Sequence, residues 1–245
     1  MGSEMCIRDS KNMVTWLRLN RPDRLNAVNA AMIEGLIDGL TAAIERGSNL
    51  VVFAGEGRAF SAGFDLSGLD QQSDADLLYR FVRVEQLLQM IYQLPMTSVA
   101  LVQGRCFGAA ADIVASCRKR IAAPDASFRM PGLQFGIVLG TRRLARLIGA
   151  DAAFDLLETS RIFTADDALE TGFLTDIQPA EDWASHIDKL AIDAGNLGDD
   201  AKTALLAATR DDRGLDHDLA ALVRSAAKPG LADRIRAFVA TQVKK

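Results

Sequence analysis

The chain has 245 residues, 49% of them hydrophobic, with 28 Lys and Arg against 32 Asp and Glu for a net charge of −4. This suffices for one globular domain with a sizeable core and leaves room for an appended subdomain, and the mild acidity argues against nucleic acid or an anionic membrane as partner. No apolar run reaches membrane-spanning length. The three cysteines (Cys6, Cys106, Cys117) lack CxxC spacing and lie far from the two histidines, which argues against a metal and for reduced thiols in the cytoplasm.

The opening MGSEMCIRDS has neither an apolar core nor amphipathic periodicity, so residues 1–12 read as a tag or non-native leader outside the fold. MVTWLRLN, 13–20, alternates like a half-buried strand, with Val14, Trp16 or Leu17, and Leu19 as its apolar members, and breaks at Arg21-Pro22. Met32, Ile33, Leu36, Ile37, Leu40 and Ile44 then fall at helical spacing, with Asn29 as N-cap and Gly47 as C-cap. LVVFAG, 50–55, is a continuous apolar run of the kind found in strands covered on both faces.

A long polar loop through QQSDAD precedes a helix over 77–94, stopped before Pro95. SVALVQG is a third strand, a helix starts near Gly108, and 117–123 and 126–130 read as short strands. From Thr141 onward the chain reads as helical almost throughout. Strand, turn and helix in alternation followed by helices define an α/β class with a helical tail.

Two turns interrupt this pattern with small residues: RAFSAGFDL at 58–66 and QGRCFGAAAD at 103–112. Each follows an apolar strand and leads toward a helix, leaving backbone N–H groups bare. Two such groups aimed at one point make an oxyanion hole of the kind a thioester enolate requires.

Four segments in order, RPDRLNAV, LVVFAGEGRAFSAGFDL, LPMTSVALVQGRCFGAAAD and LLETSRIFTADDALETGFLTDI, resemble the crotonase family, also called the enoyl-CoA hydratase/isomerase family. The resemblance runs from about residue 13 to the C-terminus and marks a divergent member. It implies an α/β fold built as a crotonase-like spiral of β-β-α units over 13–190, with a C-terminal helical region over 191–245. It also implies a homotrimer or homohexamer acting on an acyl-CoA thioester in fatty acid metabolism, with no cofactor beyond the coenzyme A of the substrate.

Carried over residue by residue, the resemblance gives the backbone N–H groups of Ala62 and Ala109 as oxyanion donors and Asp112 as the proton-transfer group. Coenzyme A would be flanked by Arg24, Leu25 and Ala27 and by the stretch from Arg58 through Phe60, Gly63, Phe64, Asp65 and Leu66. Arg24 and Arg58 would face phosphate, and Asp65 would be architecture near the ligand. Gly108, Pro131 and Gly132 complete the substrate site, and Phe238 and Lys244 would come from a helix closing over the adenine.

The chain departs from the family pattern where hydratases carry two glutamates. The first position is Asp112 and the second is Gly132, which has no side chain to move a proton. The loop leading to Thr141 is shortened, and Arg118 replaces a usual aspartate. This inventory favours double-bond isomerisation over hydration. The alternative is an acyl-CoA-binding protein that has lost the chemistry; hydrolysis through a covalent intermediate finds Gly132 and Gly140 where its carboxylate is expected, and a carboxylate such as Glu85 of the long helix near the α-carbon would restore two-base chemistry.

Overall fold

Strand β1 (Cys6–Lys11) runs antiparallel along β2 (Val14–Leu19), from Cys6 opposite Leu19 to Lys11 opposite Val14, in a computed structural model that describes residues 6–11, 13–209 and 214–243. The expectation that 1–12 stands apart from the fold is corrected over Cys6–Lys11. Pairing there occupies backbone groups that β2 would otherwise present as an open sheet edge. Residues 1–5 and 12 lie outside the described residues, as does Lys244.

Helix α1 (Ala30–Glu45) starts where expected, the Asn29 side chain accepting from Met32 N at 2.9 Å. After β3 (Leu50–Gly55), α2 (Asp74–Tyr92) begins three residues before the expected 77, because Ser73 and Asp76 form a reciprocal capping box at its start. There follow β4 (Thr97–Val102), β5 (Arg105–Phe107), α3 (Ala109–Ser116), β6 (Lys119–Ala122) and β7 (Ser127–Arg129). The C-terminal part comprises α4 (Thr141–Ile148), α5 (Ala150–Thr159), β8 (Phe163–Thr164), α6 (Ala165–Glu170), β9 (Asp176–Ile177), α7 (Trp183–Gly195), α8 (Asp199–Thr209), α9 (Leu215–Ala226) and α10 (Leu231–Val243). The reading of an almost wholly helical tail is thus corrected by β8 and β9, each too short to show a period.

One sheet has the order β1-β2-β3-β4-β6-β9, parallel from β2 onward; the other has the order β5-β7-β8. The central strands are covered on both faces, as the continuous apolar run of β3 predicts. Val51, Phe53, Ala100 and Val102 join the core beneath α1, α2 and α3, while Leu50, Val52, Val99 and Leu101 pack with Ile187 of α7. A further cluster joins Leu77 and Phe81 of α2 and Phe135 to Leu222, Leu231 and Ile235 of α9 and α10. The C-terminal helices therefore pack against α2 and the chain around Phe135, and Phe81, Phe135 and Phe238 from these parts help enclose a cavity beside the small sheet.

Candidate active site

The two small-residue turns are stitched together by a short parallel bridge: Ser61 N donates to Arg105 O at 3.1 Å and Phe107 N to Ser61 O at 3.1 Å. Gly63, at φ +89°, lets them approach, since a Cβ there would stand 2.2 Å from Phe107 O and 3.4 Å from Ala109 N. The first turn is anchored by Asn26, buried in the left-handed region, which donates to Glu56 O at 2.8 Å and Ala59 O at 2.9 Å. The Ser61 hydroxyl donates to Asn26 O and in turn accepts from Gly63 N.

This stitching decides which N–H groups are free. Ala62 N donates to Leu25 O at 2.8 Å, so its expected role as an oxyanion donor is corrected: that hydrogen is already committed. Val28 N donates to Gly63 O at 2.8 Å and Asp65 N to Val28 O at 3.0 Å. With those two groups turned toward Val28, the intervening Phe64 N–H points the other way, and it has no acceptor among the described residues. Ala109 is the first residue of α3, and its N–H likewise has no acceptor. Phe64 and Ala109 both line one cavity of about 800 Å³.

Asp112 lines the same cavity from the first turn of α3 and is only 4% exposed. Its Oδ1 has no hydrogen-bond partner among the described residues. Burial pushes its carboxyl well above the usual carboxylate range; Arg143 opposes this and Glu85 adds to it. Gly140 makes room for it, since a Cβ there would fall on Asp112 Oδ1, and Gly140 also holds φ +64°. Gly132 lines the cavity too, so the place of a second glutamate offers backbone alone.

Ala62, Leu66, Gly108 and Pro131 also line this cavity, whereas Leu25 and Arg58 line a smaller one of about 230 Å³ that shares Arg105 and Ser127 with it. Arg24 is exposed, and its guanidinium lies 3.8 Å from the carboxylate of Asp23. Ala27 contributes its carbonyl to Arg21 at 2.7 Å. Phe60, expected at the substrate, is fully buried in the core, and its placement there is a correction. Asp65 is architecture: burial works against its charge, but hydrogen bonds from Arg21 at 2.8 Å and Ser67 at 2.9 Å prevail and hold the carboxyl below its usual range.

Glu85 does not supply a second reacting carboxylate. It is fully buried behind the site and holds Arg143 through two hydrogen bonds of 3.0 and 2.5 Å. Phe238 of α10 lines the cavity, together with residues that sequence reasoning did not single out: Phe81, Arg105, Phe107, Arg129, Phe135 and Thr141. Arg105 and Phe107 sit within the second small-residue turn, while the others come from segments far apart in the chain that nothing local marks as neighbours. Cys106 and Cys117 are buried free thiols, and burial pushes Cys117 up to about 12. No group of three or more metal-ligating side chains occurs among the described residues, and no helix there is long and apolar enough to cross a membrane.

A parallel sheet, a second small sheet and covering C-terminal helices, arranged around a cavity with two free N–H groups, define an enzyme of the crotonase fold. The family model for enoyl-CoA hydratase/isomerase matches residues 9–216, and the chain belongs to that family. It is similar to a crystal structure from Bordetella parapertussis assigned as an enoyl-CoA hydratase/isomerase, at 44% identity and a TM-score of 0.95, covering 97% of this chain and 99% of that one. The mycobacterial protein echA6 of Mycobacterium tuberculosis, assigned as an enoyl-CoA hydratase, is 33% identical over 184 residues, 73% of this chain and 74% of that protein. The crotonyl-CoA hydratase of Syntrophomonas wolfei is 28% identical over 196 residues, 78% of this chain and 75% of the hydratase.

Proposed function

We propose that the protein stabilises the enolate of an acyl-CoA thioester and moves a double bond along the acyl chain, in preference to adding water across it. The observation that carries this reading is the meeting, in one cavity, of two backbone N–H groups without acceptors and one buried, unpaired carboxyl. The N–H groups of Phe64 and Ala109 receive the thioester oxygen, and the positive end of α3 adds to the stabilisation as negative charge develops there.

Asp112, once ionised, takes the proton from the α-carbon of a 3-enoyl thioester, whose electrons form the dienolate. The same carboxyl returns that proton to the γ-carbon, the double bond settles between the α- and β-carbons, and Asp112 is again ionised. A carboxyl lifted toward the working pH suits both halves of this transfer. Hydration in the two-glutamate manner requires a second carboxylate to hold the water, and Gly132 supplies none. Arg58 and Arg105 support a phosphate-bearing ligand, and the scheme uses no cofactor beyond the substrate's own coenzyme A.

The test is to supply a 3-enoyl-CoA and crotonyl-CoA in D₂O, following isomerisation by absorbance and α-proton exchange by NMR. Isomerisation and exchange with little 3-hydroxyacyl product are expected. Tight binding without exchange across a panel of acyl-CoA chain lengths would instead leave a binding protein, and dominant hydration would overturn the preference for isomerisation.

A further inference from the structure

The free N–H of Phe64 belongs to a residue whose ring is held from α2. The guanidinium carbon of Arg80 stands 4.1 Å from the centroid of that ring, and the ring stacks on Phe81 with centroids 4.2 Å apart and planes 9° apart. Arg80 also grips the backbone immediately beyond: its Nη2 donates to Asp65 O at 2.8 Å, and its Nη1 donates to Gln72 Oε1 at 2.6 Å. The ring before the Phe64-Asp65 peptide and the carbonyl after it are thus fixed by one planar side chain.

We propose that Arg80 is a positioning residue for catalysis: the Val28 N–H bond to Gly63 O orients the peptide that carries the Phe64 N–H, and Arg80, by clamping the Phe64 ring and the Asp65 carbonyl, holds residue 64 in place on its other side and with it the place of the thioester oxygen relative to Asp112. This rests on the reading of Phe64 N–H as an oxyanion donor. A cation over one ring face is electrostatically favoured, and the guanidinium's fork lets it bond a carbonyl while it lies there, which a lysine ammonium cannot match.

Stability alone is a poor reason for this side chain. Its Nε is buried without an acceptor among the described residues, which is unfavourable. Helix α2 is already secured by its capping box and by buried Leu77, Phe81, Val84 and Leu88. An oxyanion donor, by contrast, works only when held within about 0.5 Å and 10–20° of its productive geometry.

The test compares wild type, Arg80→Met and Arg80→Lys in isomerase kinetics, and in binding of acetoacetyl-CoA, whose enolate absorbs in the near ultraviolet when an oxyanion site stabilises it. Arg80→Met, which keeps the apolar stem, is expected to lower kcat about 10- to 100-fold with KM changed far less, and to weaken the enolate band. Arg80→Lys, keeping the cation but losing the fork, is expected to recover part of both. Wild-type kcat and an intact enolate band in Arg80→Met would overturn the proposal while leaving the oxyanion site standing. Absence of the band and of α-proton exchange in wild type would overturn the underlying reading itself, and this proposal with it. Thermal unfolding of each variant separates a loss of fold, which would lower kcat and bound ligand together, from a loss of aim.

Discussion

Asp112 combines two properties that are costly together: burial and a carboxyl oxygen with no partner among the described residues. Replacing it with Asn keeps the shape and removes the titration, so isomerisation and α-proton exchange are expected to fall about 10²- to 10⁴-fold. In wild type the rate is expected to rise with pH through one ionisation lying above the ordinary carboxylate range. The same group sets a sign for stability. Below about pH 4 both folded and unfolded chains hold the proton; above it the unfolded chain releases it while native Asp112 keeps it, so stability falls as pH rises until the native group ionises. The melting temperature of Asp112→Asn relative to wild type should therefore increase between acid and neutral pH, and a constant difference would show that Asp112 is not held protonated. Asp112 was legible through the family resemblance, which placed it three residues after Ala109, and the two do line one cavity. The N–H left without an acceptor in the first turn lies at Phe64, two residues beyond the expected Ala62, because Ala62 N pairs with Leu25 O and its neighbours Gly63 and Asp65 pair with Val28, contacts that no local pattern discloses.

Helix α3 brings the second donor and the carboxyl to the cavity on a single turn, so its first residue offers a test that a side-chain truncation cannot. Ala109 occupies the first helical position, where proline is sterically tolerated and no intrahelical hydrogen bond is lost. Ala109→Pro replaces the N–H with a ring methylene that also occupies the donor's side of the cavity, so kcat is expected to drop by at least about 10²- to 10³-fold, with the melting temperature little changed. A variant that folds and turns over at the wild-type rate would remove Ala109 from the oxyanion site. Elements such as α1, β3 and β4 were legible because each carries a full apolar pattern and clear stops. The small sheet was only partly so, since β5 and β8 contribute three and two residues, too few for any period, and owe their form to pairing with β7.

Across the whole molecule, α2, α4 and α9 are tied behind the catalytic helix by buried charge. Glu85 and Arg143 are each 1% exposed at the side chain, Asp218 approaches Arg143 at 3.5 Å, and Gln89 links Glu85 Oε1 at 2.9 Å to Leu215 O at 3.0 Å. The sequence showed Glu85 as a spare carboxylate but not its partner, which lies 58 residues away on another helix. Removing one member strands the other in a dry interior, so Glu85→Leu or Arg143→Met is expected to cost about 3–5 kcal/mol in urea unfolding. The double variant Glu85→Leu/Arg143→Met removes both charges and should cost less than either single change; strictly additive losses would show that the pair is not coupled. The pair also reaches the chemistry, because Arg143 pulls the Asp112 carboxyl down while Glu85 pushes it up. If the single variants fold at low temperature, the pH midpoint of isomerisation should move up in Arg143→Met and down in Glu85→Leu. In the double variant the two displacements oppose each other, so its midpoint should fall between those of the single variants, a result that a purely structural role for the pair would not produce.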